Sequence, residues 1–158
     1  MVRTMSDFLI TSEPCPKGGA IPSDFTCVGK NESPPLSWTG APPGTKSFAL
    51  IYEDPDAPSG LFIHWILYNI PPGANGLSRG IPKKPVMIDG SRHGMNSFGR
   101  MEYGGPCPPP GKPHRYFFRL YALDTVLAPN APVTRDVLKK AMTGHVLAEA
   151  EHMGTCKR

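Results

Sequence analysis

Twenty prolines and seventeen glycines are spread through this 158-residue chain between short apolar runs, not gathered in a tract. Each fixes or frees backbone torsions where the chain must turn, so their spread predicts many turns and rigid loops. The expected fold class is therefore mainly β. The length fits a single domain, 1–158, able to bury a real core. Hydrophobic residues make up 39% and charged residues 19%, which excludes a disordered chain.

Three apolar runs read as strands. Phe48-Ala49-Leu50-Ile51-Tyr52 stops at Asp54-Pro55. Leu61 to Ile70 ends at Pro71-Pro72-Gly73. Alternation puts Phe62, His64, Ile66, Tyr68 and Ile70 on one face, with Ile63, Trp65, Leu67 and Asn69 on the other. His114 to Asp124 is the third, with His114, Tyr116, Phe118, Leu120 and Ala122 on one face. Between Pro71 and Pro113 the sequence is mostly loop signal, with short strands expected inside it. Near the end, Thr134 suits an N-cap, and Val137, Leu138, Ala141 and Met142 form a helical stripe that Gly144 breaks. A second short helix is expected from His145 to about His152, stopped by Gly154.

Net charge is +4 without a basic block, and no zinc spacing or aromatic–basic platform is present, so nucleic acid is not an expected partner. No stretch has the length and apolarity of a transmembrane helix. The N-terminal Met1 to Phe8 lacks the apolar core of a signal peptide, and a cytoplasmic location is expected. The cysteines, Cys15, Cys27, Cys107 and Cys156, are too scattered for a zinc ribbon or a redox Cys-x-x-Cys pair. Cys15 and Cys27 flank a Gly/Pro turn region and are expected to form a disulfide. Cys107 with Cys156 would tie the C-terminal end to the Gly/Pro loop.

Two stretches carry ionisable groups beside such rigid backbone. One is Asp54-Pro55-Asp56-Ala57-Pro58, followed by His64-Trp65. The other is Gly104-Gly105-Pro106-Cys107-Pro108-Pro109-Pro110-Gly111, leading into His114-Arg115-Tyr116. Taken singly, Asp-Pro-Asp is ordinary turn chemistry, and a histidine on an apolar strand is an ordinary core residue. Together they read as the lining of one site. No metal is expected, because no two histidines sit at ligand spacing on one element. There is no nucleophile elbow, and Ser91-Arg92-His93 lacks a triad context. Anion binding fits better: a protonated histidine, the backbone N–H groups of Gly104-Gly105 and the Tyr116 hydroxyl around a phosphate or carboxylate. Affinity would then fall between about pH 5.5 and 8. An enzyme using Asp54, Asp56, His64 and His114 for acid–base or phosphoryl chemistry remains open, as does a structural interaction module.

These stretches, with Ser33-Pro34-Pro35-Leu36-Ser37-Trp38, Tyr68-Asn69-Ile70-Pro71 and Gly144-His145-Val146-Leu147-Ala148, resemble the phosphatidylethanolamine-binding protein family. The likeness runs from about Phe8 to Gly154 and is nearest to the prokaryotic Raf-kinase-inhibitor-like branch. It implies an antiparallel Greek-key β-sandwich with short C-terminal helices. It also implies an anion pocket lined by Asp54, Asp56, Pro58, His64, Gly105, Pro106, His114 and Tyr116, with no cofactor and no catalytic residue. A phosphate- or carboxylate-bearing ligand, a protease or kinase partner and a homodimer follow from the same resemblance. The link from Pro58 to His64 is shorter than in eukaryotic members, and the C-terminal end differs from theirs. Lipid specificity and kinase inhibition are therefore not carried over by name.

Overall fold

The computed structural model describes residues 7–130 and 132–158; most of the N-terminal stretch read for a leader, 1–6, lies outside them. Among the described residues, eight strands form two antiparallel sheets. The smaller has the order β1(Leu9–Thr11), β2(Leu36–Thr39), β5(Gly76–Leu77). The larger has the order β6(Arg92–His93), β4(Phe62–Ile70), β3(Ser47–Asp54), β7(His114–Leu123), β8(Val146–Cys156).

Strand β3 lies at the centre of the larger sheet and is buried along its whole length. Its Phe48, Leu50 and Tyr52 meet Ile10, Leu36 and Trp38 of the smaller sheet in the main core. Ala49 and Ile51 face the other way, under Leu127, Val133 and the helix α1(Arg135–Met142). A strand covered on both faces has no exposed face to fill with polar residues, which is why its central part, Phe48 to Tyr52, reads as one apolar run. The helix matches its expectation. The Thr134 hydroxyl accepts from the Val137 N–H at 3.3 Å, Asp136 occupies the first turn, and Leu138 and Met142 are buried.

Three expectations are corrected. The region from His145 to His152 is not a second helix; Val146–Cys156 is a strand that pairs with β7 along nearly all of its length. Ala148, Ala150, His152 and Gly154 turn inward at period two, and the open edge of β7 supplies the hydrogen bonds.

The strict alternation of β4 also fails. Register shifts against β3 fall near His64 and near Asn69. Tyr52 pairs with Trp65 while Glu53 pairs with Ile63, so His64 is the extra residue of a bulge. Trp65, Leu67 and Ile70 therefore face the main core, and Ile63, Ile66 and Tyr68 the helix side. At the second shift Asn69 has a positive φ of 56°, and its amide exchanges hydrogen bonds with the backbone of Leu127.

The third correction concerns the cysteines. The disulfide joins Cys27 to Cys107, with Cα atoms 5.3 Å apart across a sequence separation of 80. Neither Cys15–Cys27 nor Cys107–Cys156 forms; Cys15 and Cys156 are thiols. Cys15 is buried against Gly154, where its Sγ donates to the Gly19 carbonyl. Folding brings Cys27 to the Gly/Pro loop instead, where its N–H donates to the Pro106 carbonyl at 3.0 Å.

Candidate functional site

Strand β3 runs out at Asp54, just where Pro55 ends the ladder. The Asp54 side chain is 3% exposed and has two tasks. Its Oδ1 accepts the Asp56 N–H at 2.7 Å, closing a local turn. Its Oδ2 accepts from His114 Nδ1 at 2.7 Å, on the neighbouring strand β7. Nδ1 then carries the proton, and the second nitrogen, Nε2, remains for other partners.

His64 is held in a parallel fashion. The bulge turns its ring toward Tyr52, Phe62 and Tyr116, and its Nδ1 donates to the Gly104 carbonyl at 2.8 Å. Burial lowers its proton affinity below the ordinary histidine range, against the opposing pull of the Gly104 carbonyl and the Asp54 charge. At neutral pH His64 is thus the neutral imidazole, with Nε2 as an acceptor. Burial also raises the Tyr116 phenol, as does the charge of Asp54, so it stays protonated and can donate.

These groups line a cavity of about 300 Å³. Asp54, Ser59, His64, His114 and Tyr116 are its polar residues, and Phe62, Phe98, Pro58, Pro108 and Pro109 form its apolar walls. Five of the eight expected residues therefore meet here: Asp54, Pro58, His64, His114 and Tyr116. The other three stand outside the lining. Asp56 faces Arg115, which grips it through the backbone N–H, Nε and Nη2, each at 2.9 Å. That contact holds the Asp56 carboxyl down at about 2. Gly105 and Pro106 are buried but are not part of the lining. The Gly104 N–H donates to the His64 carbonyl and the Gly105 N–H to Asn31 Oδ1, so the two backbone donors expected for an anion are already used.

Ala57, Ser59, Phe62, Phe98, Cys107, Pro108 and Pro109 also line the cavity and were not among the eight expected residues. Phe98 arrives from the long loop and lies against Gly104, where a Cβ would strike its ring; nothing in the local sequence marks that meeting. No cluster of three or more histidine, cysteine or acidic side chains with metal-holding geometry occurs among the described residues.

Residues 11–157 match the model of the family described as phosphatidylethanolamine-binding protein. The chain belongs to that family. A relative named only as a UPF0098 protein, from Methanothermobacter thermautotrophicus, is 52% identical over 140 residues, covering 89% of this chain and 92% of that protein. Two solved structures of phosphatidylethanolamine-binding protein homologues are similar over 96% of the chain. CT736 of Chlamydia trachomatis has 41% identity, a TM-score of 0.87 and 97% of its own length covered. YbcL of E. coli has 33% identity, a TM-score of 0.89 and 99% covered. No helix among the described residues is long and apolar enough to cross a membrane.

Proposed function

We propose that this member of the phosphatidylethanolamine-binding protein family is a non-enzymatic binder of small phosphate- or carboxylate-bearing anions. The observation that carries the reading is the pair of imidazoles at one cavity, each with Nδ1 committed from behind, to Gly104 and to Asp54. Committed Nδ1 atoms fix both rings and leave two Nε2 atoms for a ligand oxygen, beside the Tyr116 hydroxyl, which also interacts with the Asp54 carboxylate. A neutral His64 accepts from the O–H of a monoprotonated phosphoryl group, while Tyr116 donates. The apolar walls would suit an organic substituent on that group.

A nucleophile placed against a general base is what the enzymatic alternative needs. Asp54 spends its carboxylate oxygens on the Asp56 N–H and on His114, which argues for positioning. Regulation of a protease or kinase through the outer surface, a homodimeric state and a cytoplasmic location belong to the same reading and rest on the family resemblance and the sequence.

Calorimetric titration with inorganic phosphate, phenyl phosphate and acetate tests it. Wild type should saturate with both phosphates and bind acetate, which has no proton to donate to His64, more weakly. His64→Ala and His114→Ala should each bind about 10-fold to 100-fold more weakly, the loss of one charge-assisted hydrogen bond. Affinity for phenyl phosphate should fall as pH rises through about 6, where a phosphomonoester loses its second proton. Equal binding by wild type and both variants, or a flat pH response, overturns the reading. Phosphate-ester turnover abolished by the same variants would favour the enzyme. Inhibition of a protease that survives them would place that activity elsewhere on the surface.

A further inference from the structure

The wall of the cavity that carries Cys107, Pro108 and Pro109 is weakly anchored by backbone. Between Pro106 and Pro113 only Cys107, Gly111 and Lys112 have an N–H at all, because the other residues are prolines. The Gly111 N–H reaches the Arg158 carbonyl at 3.2 Å, and the Pro106 carbonyl accepts from Cys27. The covalent tie of this segment, near its start, is the Cys27–Cys107 disulfide. Cys27 belongs to the loop after the short 3-10 turn Ser23–Phe25, so the bond joins the cavity wall to a part of the chain that does not line the cavity. Cys107 is exposed, Cys27 is partly exposed, and the Arg158 guanidinium lies 3.5 Å from the Cys107 sulfur.

We propose that Cys27–Cys107 is a thiol–disulfide exchange site whose reduction releases the cavity wall and weakens anion binding; the binding half of this statement rests on the anion reading above. The reductant is a dithiol. Its thiolate attacks the Cys27 sulfur, the Cys27–Cys107 bond breaks, and Cys107 leaves as a thiolate beside the Arg158 cation before taking a proton. The second thiol of the reductant then attacks the mixed disulfide and frees Cys27. The reductant ends as a disulfide, and two electrons and two protons have passed to the protein. A nearby cation favours the thiolate as leaving group, which is why attack is assigned to Cys27.

The test compares oxidised protein, protein treated with dithiothreitol under native conditions, and the double variant Cys27→Ser/Cys107→Ser. Amide exchange over 104–113 and phosphate affinity are both measured. Reduction should speed exchange at Gly111, whose N–H is bonded to the Arg158 carbonyl, and lower phosphate affinity by about tenfold. The double variant should resemble the reduced protein and ignore the reductant. Unchanged exchange with unchanged or absent binding overturns the gate, as does a disulfide that dithiothreitol cannot reach in the folded protein. Global unfolding of both the reduced protein and the double variant also overturns it, since the release is then not local. Faster wall exchange with no phosphate binding in either redox state keeps the release and sinks the anion reading. Faster exchange with equal phosphate affinity overturns the coupling of wall to ligand.

Discussion

His64 and His93 show how burial sets a residue's response to pH. Both are almost wholly buried, and burial lowers the proton affinity of both, although each Nδ1 bonds a backbone carbonyl, of Gly104 and of Lys84 respectively. A histidine with a depressed folded-state pKa binds its proton more readily when unfolded. Above the unfolded value of about 6.5 it adds no pH dependence. As pH falls below that value the unfolded chain takes up protons first and stability drops, until the folded protein protonates as well. Asp56 acts in a lower window. Its carboxyl is held at about 2, so its contribution is present above the unfolded value and lost as pH falls toward 2. Urea unfolding should therefore show a decline beginning near pH 6.5, with a slope of up to about 1.4 kcal/mol per pH unit for each linked proton. His93→Gln should flatten that slope. A midpoint constant from pH 7 to 5 would contradict the assignment.

At the scale of elements, the turn chemistry around Gly105 matters more than its sequence suggests. A Cβ there would strike Asn31 Oδ1 and lie 2.5 Å from the Phe25 carbonyl oxygen, and that backbone atom cannot swing away. Gly105→Ala should cost about 1–3 kcal/mol, read as a lower urea midpoint, and wild-type stability would show that the loop yields. The elements whose logic is local were legible in the sequence. Strand β3 has a continuous apolar centre, β7 alternates over its first seven residues, and α1 has its Thr134 cap. Where partners far along the chain decide, reading failed. Val146–Cys156 has helix-tolerant alanines and glutamates, yet the edge of β7 claims it. The bulge at His64 is a property of two strands in register, invisible in either. Asp54, His64, His114 and Tyr116 were found because polar groups stand out on apolar strands. Asp56 looked equivalent to Asp54, but Arg115 on the neighbouring strand takes it.

Across the whole molecule, the larger sheet is a shared wall between two cores. Glu53 sits on it as a buried carboxylate held by Arg119 at 2.9 Å and by Arg135 of the helix at 3.2 Å, and Arg119 also reaches Glu151 of β8. Glu53 thus links β3, β7 and the helix directly, and Arg119 extends the network to β8. Ile51 lies fully buried in the helix-side core. Ile51→Ala should cost about 2–5 kcal/mol, whereas truncating exposed Val126 should change stability by no more than about 0.5 kcal/mol. Similar losses at both positions in chemical denaturation would argue against this division of the core.

The hydrogen bond between Asp54 and His114 spans 60 positions of sequence and joins the last residue of β3 to the first of β7. Such a contact exists only after those two strands have found each other, and closing so long a loop is slow. During refolding, the imidazole resonance of His114 is therefore a clock. Its native shift should emerge with assembly of the large sheet, after α1 has begun to form its local turns.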